Sequence, residues 1–377
     1  MRIFYASGSV PNGALPASKI WRSNLHGALV DLGHDVVEFD FDLEPLIAAA
    51  GATDSQEAGF VERERPRASR ELIEQVRRAH AAAPVDLFFS YFYSSCATPQ
   101  AIRDIGALGI TTVNWFCNAS YQLGLVEEIA PAYDACLVPE RFRLDDYRRL
   151  GASPVYCQEA ANPVLYRPQP VERDLDVVFI GARYGDRPHA IRRLLDAGVN
   201  VRVFGPGWKP DPLRTRVRRL RPRAVLGKVR SRLAGRAAGS GAAGSEVPFD
   251  ACGGVLADDQ LPVVYSRAKI ALGFSSVGNT HAAGDRLTQI RLRDFEAPMS
   301  GAFYMVEHMS DLAEFFEIDR EVVTYRNEDE LVEKCLYYLG HDAERERIRV
   351  AGHARALRDH TWQRRLTDVF EQLGLPT

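Results

Sequence analysis

The residues best suited to chemistry lie in the stretch 286–307, where arginines and an acid precede an apolar run. The charged residues of interest are Arg286, Arg291, Arg293 and Glu296. Their spacing predicts a helix from about residue 288 to 297, with a stop at Gly301. A carboxylate can accept both hydroxyl protons of a ribose, and guanidinium groups bind phosphate. The alternative is a helix stabilised only by Arg and Glu pairs three or four residues apart.

Two further loops carry small and polar residues directly after apolar segments. In residues 181–187, glycines let backbone N–H groups approach a phosphate that Arg183 or Arg187 can neutralise. In residues 273–279, Ser275 and Asn279 suit hydrogen bonds to a diphosphate or a sugar. The alternatives are a solvated surface turn for the first loop and a flexible turn for the second.

The elements that must position these loops follow from the hydrophobic pattern. The chain opens with a strand over 2–7, a loop, a helix from about 18 to 33 and a strand over 36–39, as parallel doubly wound α/β domains do. Residues 51–67 are predicted to form an exposed loop before a helix over 68–82. A second series follows the proline-rich segment 162–171. Its predicted strands are residues 176–180, 199–204, 269–274, 303–306 and 322–325.

These two series predict an α/β protein with two Rossmann-like, doubly wound domains that face each other across a cleft. The length of 377 residues exceeds what one hydrophobic core usually serves. We place the first domain at 1–168 and the second at 169–358, with a basic insertion at 209–247. Residues 359–377 are predicted to form a C-terminal helix that packs back on the first domain. Open α/β sheets bind ligands at the carboxyl ends of their strands, where the candidate loops lie.

Composition narrows the class of protein further. The formal net charge of −3 argues against a globally basic nucleic-acid binder. The six cysteines are scattered without metal or disulfide spacing, which indicates reduced thiols. The start has no secretory pattern, and no run of about 18 apolar residues occurs. A cytoplasmic location is therefore expected.

Several motifs in the second half resemble the spore-maturation CgeB-like glycosyltransferases, which are GT-B enzymes. The resemblance covers roughly residues 176–365. The motifs are Phe179-Ile180-Gly181, Tyr184-Gly185-Asp186-Arg187, Gly205-Pro206-Gly207-Trp208, Arg293-x-Phe295-Glu296, Gly301-x-Phe303-Tyr304-Met305-x-Glu307, Asp311-Leu312-x-x-Phe315, the run from Tyr325 to Leu331, and Ala351-Gly352-His353 followed by His360-Thr361-Trp362. The first half matches the family only in architecture.

The resemblance implies a UDP-, GDP- or dTDP-sugar donor, bound chiefly by the second domain without a metal or other cofactor. Glu296 matches the ribose-binding glutamate of the family. Many GT-B enzymes have a second glutamate eight positions earlier that contacts the donor sugar, and here that position is Thr288. The predicted donor-binding residues are Gly181, Arg183, Tyr184, Arg187, Gly207, Ser275, Asn279, Arg286, Thr288, Arg291, Arg293, Glu296 and Gly301.

Sugar transfer itself requires two kinds of group. Departure of a nucleoside diphosphate builds negative charge, which arginines and backbone N–H groups stabilise. The candidates are Arg183, Arg187, Arg286 and Arg291. An inverting enzyme also needs a base for the acceptor hydroxyl, for which His26 and Glu127 are the candidates. The alternative for His26 is a structural role, as for most single histidines on helices.

The basic insertion contains eleven Lys and Arg residues and one acid between Lys209 and Arg236. Apolar residues at helical spacing on either side of Pro222 predict two short basic amphipathic helices. They could lie on an anionic membrane surface or bind a polyanionic acceptor. The alternative is a surface insertion without a partner. The sequence does not identify the acceptor, but the basic insertion is compatible with an anionic or a membrane-associated one. Peripheral attachment of the protein to the inner membrane surface is one prediction.

Two other functions are compatible with this organisation. A sugar-nucleotide epimerase shares the two-domain fold but needs acid and base groups around the sugar. A non-catalytic sugar-nucleotide or glycan-binding protein would bind a donor without turnover. A dehydrogenase is disfavoured because the first loop, residues 8–13, lacks the Gly-x-Gly-x-x-Gly pattern. The sequence leaves the oligomeric state open.

Overall fold

The computed structural model describes residues 1–7, 21–51, 55–209, 246–277 and 287–377. Internal contacts divide the chain into two compact units. Unit 1 contains Met1–Tyr166 and Ala356–Thr377, and unit 2 contains Arg167–Arg355. From residue 210 onward, the two predicted basic helices lie outside the described residues, as do Asn279 and Arg286.

Unit 1 is built on a six-stranded sheet in the order β2-β1-β3-β4-β5-β6. The strands are β1 (Arg2–Ser7), β2 (Asp35–Glu38), β3 (Leu87–Tyr91), β4 (Thr111–Trp115), β5 (Ala135–Val138) and β6 (Pro154–Tyr156). Every neighbouring pair is parallel. The central strand β3 is buried along its whole length, as expected for a parallel sheet covered on both faces.

Helices connect these strands. Those described before the second unit are α1 (Gly27–Asp31), α2 (Glu44–Ala48), α3 (Ser55–Ala82), α4 (Pro99–Gly106), α5 (Ala119–Gln122) and α6 (Leu144–Arg149). A π-helical turn, Arg22–His26, leads into α1. Thr98 caps α4, because its side chain accepts a hydrogen bond from the Ala101 N–H.

The predicted loop over 51–67 is wrong from residue 55 onward, since α3 begins at Ser55 and continues to Ala82. The loop was predicted from the polarity of this stretch, but most residues of 55–67 are good helix formers such as Glu, Arg, Gln and Ala. Leu72 and Val76 are buried and fix the second half of this helix against the core. Propagation from that packed half extends the helix through Pro66.

The segment after residue 355 completes the core of unit 1. Trp362 is fully buried and meets Trp115 and Trp21 edge to face, with ring centroids 5.2 and 6.1 Å apart. The backbone N–H of Trp362 donates to the Ala161 carbonyl at 3.2 Å, and the backbone N–H of Ala161 donates to the His360 carbonyl at 3.1 Å. Trp362 begins α12 (Trp362–Gln372), which therefore belongs to this core.

A buried carboxyl, Glu140, follows strand β5 and is 7% exposed. Its Oε1 accepts the Ser120 N–H at 3.3 Å, and its Oε2 is buried without a hydrogen-bond partner among the described residues. Burial raises the pKa of Glu140 to about 7, although the Ser120 N–H and the Arg143 guanidinium counteract part of the shift. The carboxyl is therefore largely protonated in the folded protein below neutral pH.

This raised pKa predicts a pH-dependent contribution to stability. The contribution is complete below the ordinary carboxyl pKa of 4.5 and is lost as the pH rises through about 7. We expect the stability of Glu140→Gln relative to wild type to be greater at pH 8 than at pH 5 by about 1 to 3 kcal/mol. Urea unfolding at both pH values measures this, with exposed Glu127→Gln as the control. An equal difference at both pH values would contradict the assignment.

Unit 2 is built on a five-stranded parallel sheet in the order β11-β10-β9-β7-β8. Its strands are β7 (Leu175–Ile180), β8 (Val201–Phe204), β9 (Ala268–Gly273), β10 (Tyr304–Glu307) and β11 (Val323–Tyr325). The helices described here are α7 (Arg187–Asp196), α8 (Gln260–Arg267), α9 (Arg293–Met299), α10 (Glu328–Gly340) and α11 (Asp342–Asp359), which continues into unit 1. Phe179, Ile270, Leu272 and Met305 lie in its hydrophobic core.

The predicted helix over 288–297 is wrong at its start, because α9 begins only at Arg293. Thr288 instead forms an isolated antiparallel bridge with Ser276. The Arg291 N–H donates to the Asp294 carboxylate at 2.8 Å, so this residue lies in the turn before the helix. Tertiary pairing of 288 with the loop after β9 therefore overrides the local helical pattern. In the described part of the chain, no helix is both long and apolar enough to cross a bilayer.

Candidate functional site

The candidate site lies at one edge of the unit 2 sheet. Because its strands are parallel, their carboxyl ends meet at that edge and the loops that follow them are neighbours. The loops after β7, β8 and β9 and the turn before α9 carry most of the residues singled out in the sequence.

Glycines join the loops after β7 and β8. The Gly181 N–H donates to the Phe204 carbonyl at 2.8 Å, and the Trp208 indole donates to the Gly181 carbonyl at 2.7 Å. Gly205 has a φ of 130°, and a Cβ atom there would lie 2.5 Å from the Gly181 oxygen. Gly207 has a φ of 85° and lies against Arg183, whose N–H donates to the Pro206 carbonyl at 2.9 Å. Side chains are thus excluded where the two loops meet.

Arg187 is a buried guanidinium and the most unusual group of the site. It is 4% exposed, and its terminal nitrogens donate to the carbonyls of Ala182 and Phe274 at 2.9 and 3.5 Å. Its carbon Cζ lies 3.8 Å from the centre of the half-buried Tyr184 ring. Its Nε has no hydrogen-bond partner among the described residues. Burial lowers the pKa of Arg187 to about 9, and the charges of Arg291 and Arg293 contribute to that shift.

Two more guanidinium groups lie beside Arg187. Arg291 donates to the Phe274 carbonyl at 3.1 Å and to the Ser276 carbonyl at 2.7 Å. It therefore shares the Phe274 oxygen with Arg187. The Cζ of Arg293 lies 5.7 Å from the centre of the Phe179 ring. Within the described residues, none of the three guanidinium groups lies within 4.0 Å of a carboxylate oxygen, so the site is suited to an added anion.

Glu296 lies on α9 one turn after Arg293 and is 5% exposed. Burial by itself would lower the pKa of the Arg293 guanidinium. The net effect is a raised pKa, because electrostatic interactions with Tyr265, Tyr304 and Glu296 exceed the effect of burial. Glu296 and Arg293 also both act on the buried Tyr265 hydroxyl, whose pKa is raised mainly by burial. The carboxylate and the arginine are thus immediate neighbours at the start of this helix.

The contact between Gly181 and Arg293 gives a testable prediction. A methyl group on Gly181 would lie 2.6 Å from the Phe179 ring and 3.2 Å from both terminal nitrogens of Arg293. We expect Gly181→Ala to destabilise the fold by about 1 to 3 kcal/mol and to weaken anion binding, because both groups must move. Denaturant unfolding and nucleotide titration measure the two effects. Gly254→Ala is the control, since a methyl group there meets no atom within 4 Å; equal behaviour of the two variants would contradict the prediction.

The loop after β9 is held by a carboxylate that the sequence analysis did not assign to the site. Glu307 ends β10 and accepts the N–H groups of Ser275 and Ser276 at 3.0 and 3.1 Å. The Ser276 hydroxyl donates to the same oxygen at 3.1 Å, and the Ser275 hydroxyl donates to the Glu307 carbonyl at 3.0 Å. A charged residue at the end of an apolar strand was the available signal. Ser275 is consequently buried and has a supporting position behind the loop.

A pocket of about 250 Å³ opens between these loops and the starts of α7 and α10. Its lining residues are Tyr184, Gly185, Asp186, Arg187, Ala190, Phe274, Ser276, Glu307, Tyr325, Arg326, Asn327 and Glu328. The Tyr325 hydroxyl donates to the Gly273 carbonyl at 2.7 Å and so fixes the inner wall. The pocket lies wholly within unit 2.

Comparisons with known proteins agree with this architecture. Residues 187–371 match a family described as glycosyl transferase-like. The chain is similar in structure to a sucrose-phosphate synthase from Thermosynechococcus elongatus, with 14% identity, a TM-score of 0.57 and 99% of each chain covered. The chain has the GT-B fold. A search of curated proteins finds no significant sequence match.

Two further GT-B neighbours cover nearly the whole chain. The Anabaena protein HepE, solved in complex with UDP-glucose, shares 12% identity at a TM-score of 0.54, with 99% of each chain covered. A glycosyltransferase from Rickettsia africae shares 10% identity at a TM-score of 0.56, with 100% of this chain and 99% of that chain covered. At such identities the likeness establishes the fold alone, and the predicted GT-B fold is confirmed.

One predicted site residue, Gly301, lies away from the arginine cluster. Gly301 has a φ of 73° and lies past the other end of α9, where its carbonyl accepts hydrogen bonds from Arg173 and Arg349. It terminates the helix. Arg183 is exposed on the loop after β7, and Thr288 lies next to Ser276.

The two predicted catalytic residues lie in unit 1. His26 Nε2 lies 3.2 Å from the Glu38 carboxylate, and burial lowers the pKa of the imidazole. Glu127 is exposed in the segment before β5. The two side chains are held by different parts of the fold, because His26 precedes α1 and Glu127 follows α5. Their roles stay predictions.

Proposed function

We propose that this protein is a glycosyltransferase that moves a sugar from a nucleoside diphosphate sugar to an acceptor hydroxyl. The observation that carries the proposal is Arg187, a buried guanidinium bonded to two backbone carbonyls and flanked by Arg291 and Arg293. A buried cation without a carboxylate partner is unfavourable in the empty protein and favourable once an anion binds. The GT-B fold and the glycosyl transferase-like match over residues 187–371 support a diphosphate as that anion.

The arrangement suits the departure of a nucleoside diphosphate. As the bond to the sugar breaks, negative charge builds on the phosphate oxygen of the leaving group. Arg187 and Arg291 are already fixed by the Phe274 carbonyl, so little reorganisation is required to stabilise that charge. We assign the same task to Arg183 and, from the sequence alone, to Arg286.

Glu296 is the proposed ligand of the ribose. A buried carboxylate beside Arg293 can accept hydrogen bonds from both ribose hydroxyls while the guanidinium contacts the adjoining phosphate. The solved complex of HepE with UDP-glucose makes UDP-sugars the first donors to test, followed by GDP- and dTDP-sugars. Membership of the CgeB-like group, metal independence and a hexosyl donor belong to this proposal.

The acceptor is proposed only by class. The basic segment between Lys209 and Arg236 favours an acceptor that is anionic or lies at a membrane surface. His26 and Glu127 stay the proposed bases for its hydroxyl should the reaction invert the anomeric centre.

A panel of nucleotide sugars tests the proposal. Purified protein is incubated with each donor, with and without cell extract as a source of acceptor, and nucleoside diphosphate release is followed. Release that requires both donor and extract supports a transferase. A changed sugar on an intact nucleotide identifies an epimerase, and tight donor binding without turnover identifies a binding protein. Failure of every donor and free nucleotide to bind would reject the proposal.

A further inference from the structure

We propose that the pocket lined by Glu307, Asn327 and Arg187 holds the glycosyl group of the donor, and that the Asn327 amide and the Glu307 carboxylate select its hydroxyls. This inference rests on the proposed function. It assigns a sugar-binding role to the ends of β10 and β11, to which the sequence motifs that contain Glu307 and Asn327 gave no individual function. All the residues concerned lie in unit 2.

The groups proposed to bind the donor follow one another in a definite order along the site. Glu296 neighbours Arg293 on α9, and the Arg293 side chain reaches Gly181 and Phe179. Arg187 lies near the same Phe179 ring, with its Cζ 5.2 Å from the ring centre, and it lines the pocket. A nucleoside diphosphate sugar has its groups in the same sequence. With ribose at Glu296 and phosphates at Arg293 and Arg187, the next group along the donor reaches the pocket.

The volume of the pocket limits which part of the donor it can hold. The pocket measures about 250 Å³, whereas sites for drug-sized ligands span about 300 to 1,000 Å³. A whole nucleotide sugar exceeds this space, while a single sugar ring fits within it. The pocket therefore suits one part of the donor.

The side chains that line the pocket carry groups suited to sugar hydroxyls. Sugar hydroxyls are read by carboxylates, amides and guanidinium groups, since these combine acceptors and paired donors. Glu307 supplies a carboxylate whose position is fixed by Ser275 and Ser276 at 3.0 and 3.1 Å. The Asn327 oxygen accepts the Glu330 N–H at 2.9 Å, which leaves the amide nitrogen to contact a ligand. Arg326 and Glu328 complete the rim.

A conservative variant separates sugar contact from folding. Asn327 caps α10, and serine is an equally good cap, so Asn327→Ser removes the amide while retaining the helix start. Calorimetric titration is performed with UDP and UDP-glucose, GDP and GDP-mannose, and dTDP and dTDP-glucose. The quantity of interest is the ratio of the two Kd values within each pair. Arg192→Ala is the control, because Arg192 is on α7 but pairs with Asp196 outside the pocket.

We expect Asn327→Ser to change the nucleoside diphosphate Kd less than twofold and to reduce the extra affinity from the sugar at least fivefold. Glu307→Gln should reduce the same extra affinity, and Arg192→Ala should leave both Kd values unchanged. Equal weakening of both ligands would place the nucleotide in the pocket and overturn the inference. So would an unchanged ratio in both pocket variants, or equal wild-type affinity for both members of each pair. Absence of all binding to wild type would instead reject the proposed function itself.

Discussion

Replacing Arg187 with methionine should weaken nucleoside diphosphate binding by about 30- to 100-fold while leaving the free energy of unfolding unchanged or higher by up to about 2 kcal/mol. The loss of affinity follows from removing a charged donor whose Nε has no hydrogen-bond partner among the described residues. The retained stability follows from burial, which lowers the pKa of this arginine to about 9 and so shows that its charge is disfavoured in the empty site. Methionine preserves the apolar contacts with Phe179 and Tyr184.

Two measurements on one variant test this opposite pair of effects. Calorimetric titration with UDP, GDP and dTDP gives the affinity, and urea unfolding without nucleotide gives the stability. Arg192→Met is the matched control, since the side chain of Arg192 lies on the same helix, is 38% exposed and pairs with Asp196. Undiminished affinity would remove Arg187 from the anion site. A parallel fall in affinity and stability would make it a structural residue.

Glu296→Ala should weaken binding of a ribonucleoside diphosphate by about 1 to 3 kcal/mol, or about 5- to 150-fold. The carboxylate is 5% exposed beside Arg293, so its removal withdraws a charged acceptor from a partly dry site. The effect should depend on the hydroxyl groups of the pentose. The substitution should reduce the affinity for UDP the most, the affinity for 2′-deoxy-UDP less, and the affinity for 2′,3′-dideoxy-UDP almost not at all.

This series forms a double-mutant cycle between protein and ligand. Wild type should bind UDP more tightly than the dideoxy analogue, by the same factor by which Glu296→Ala weakens the binding of UDP. The variant should bind the two nucleotides with equal affinity. Glu296→Gln, which keeps one acceptor oxygen, should lie between the two. An equal loss for all three nucleotides would show that Glu296 acts on the fold or on Arg293 and does not contact the pentose.

The fold was accessible from the sequence because both sheets are parallel and buried. Segments such as residues 176–180 and 303–306 are short apolar runs between helical patterns, and they lie in β7 and β10 within one or two residues. The helix over 55–82 was predicted only from residue 68 onward, because the polar first part was interpreted as an exposed loop. Burial of Leu72 and Val76, which decides the matter, is not visible in the local pattern.

The candidate site was less accessible, because its geometry depends on residues distant in sequence. Arg187, Arg291 and Arg293 were predicted individually, but their convergence on Phe179 and the Phe274 carbonyl depends on the neighbouring positions of β7 and β9. Arg291 was expected on a helix and lies in the preceding turn. Asn327 was part of a motif in the resemblance, but no individual role was predicted for it. Its place in the pocket follows from the order of the strands.

Trp362 links the architecture to the order in which the chain is synthesised. Unit 1 needs this residue to fill the space beside Trp21 and Trp115, yet a ribosome makes Trp362 only after every residue of unit 2. Unit 2 is encoded in one continuous stretch, so it can mature first. The amino-terminal segment must then wait for more than half of the polypeptide to emerge. During that interval Trp21 and Trp115 lack the ring that packs against them in the folded protein.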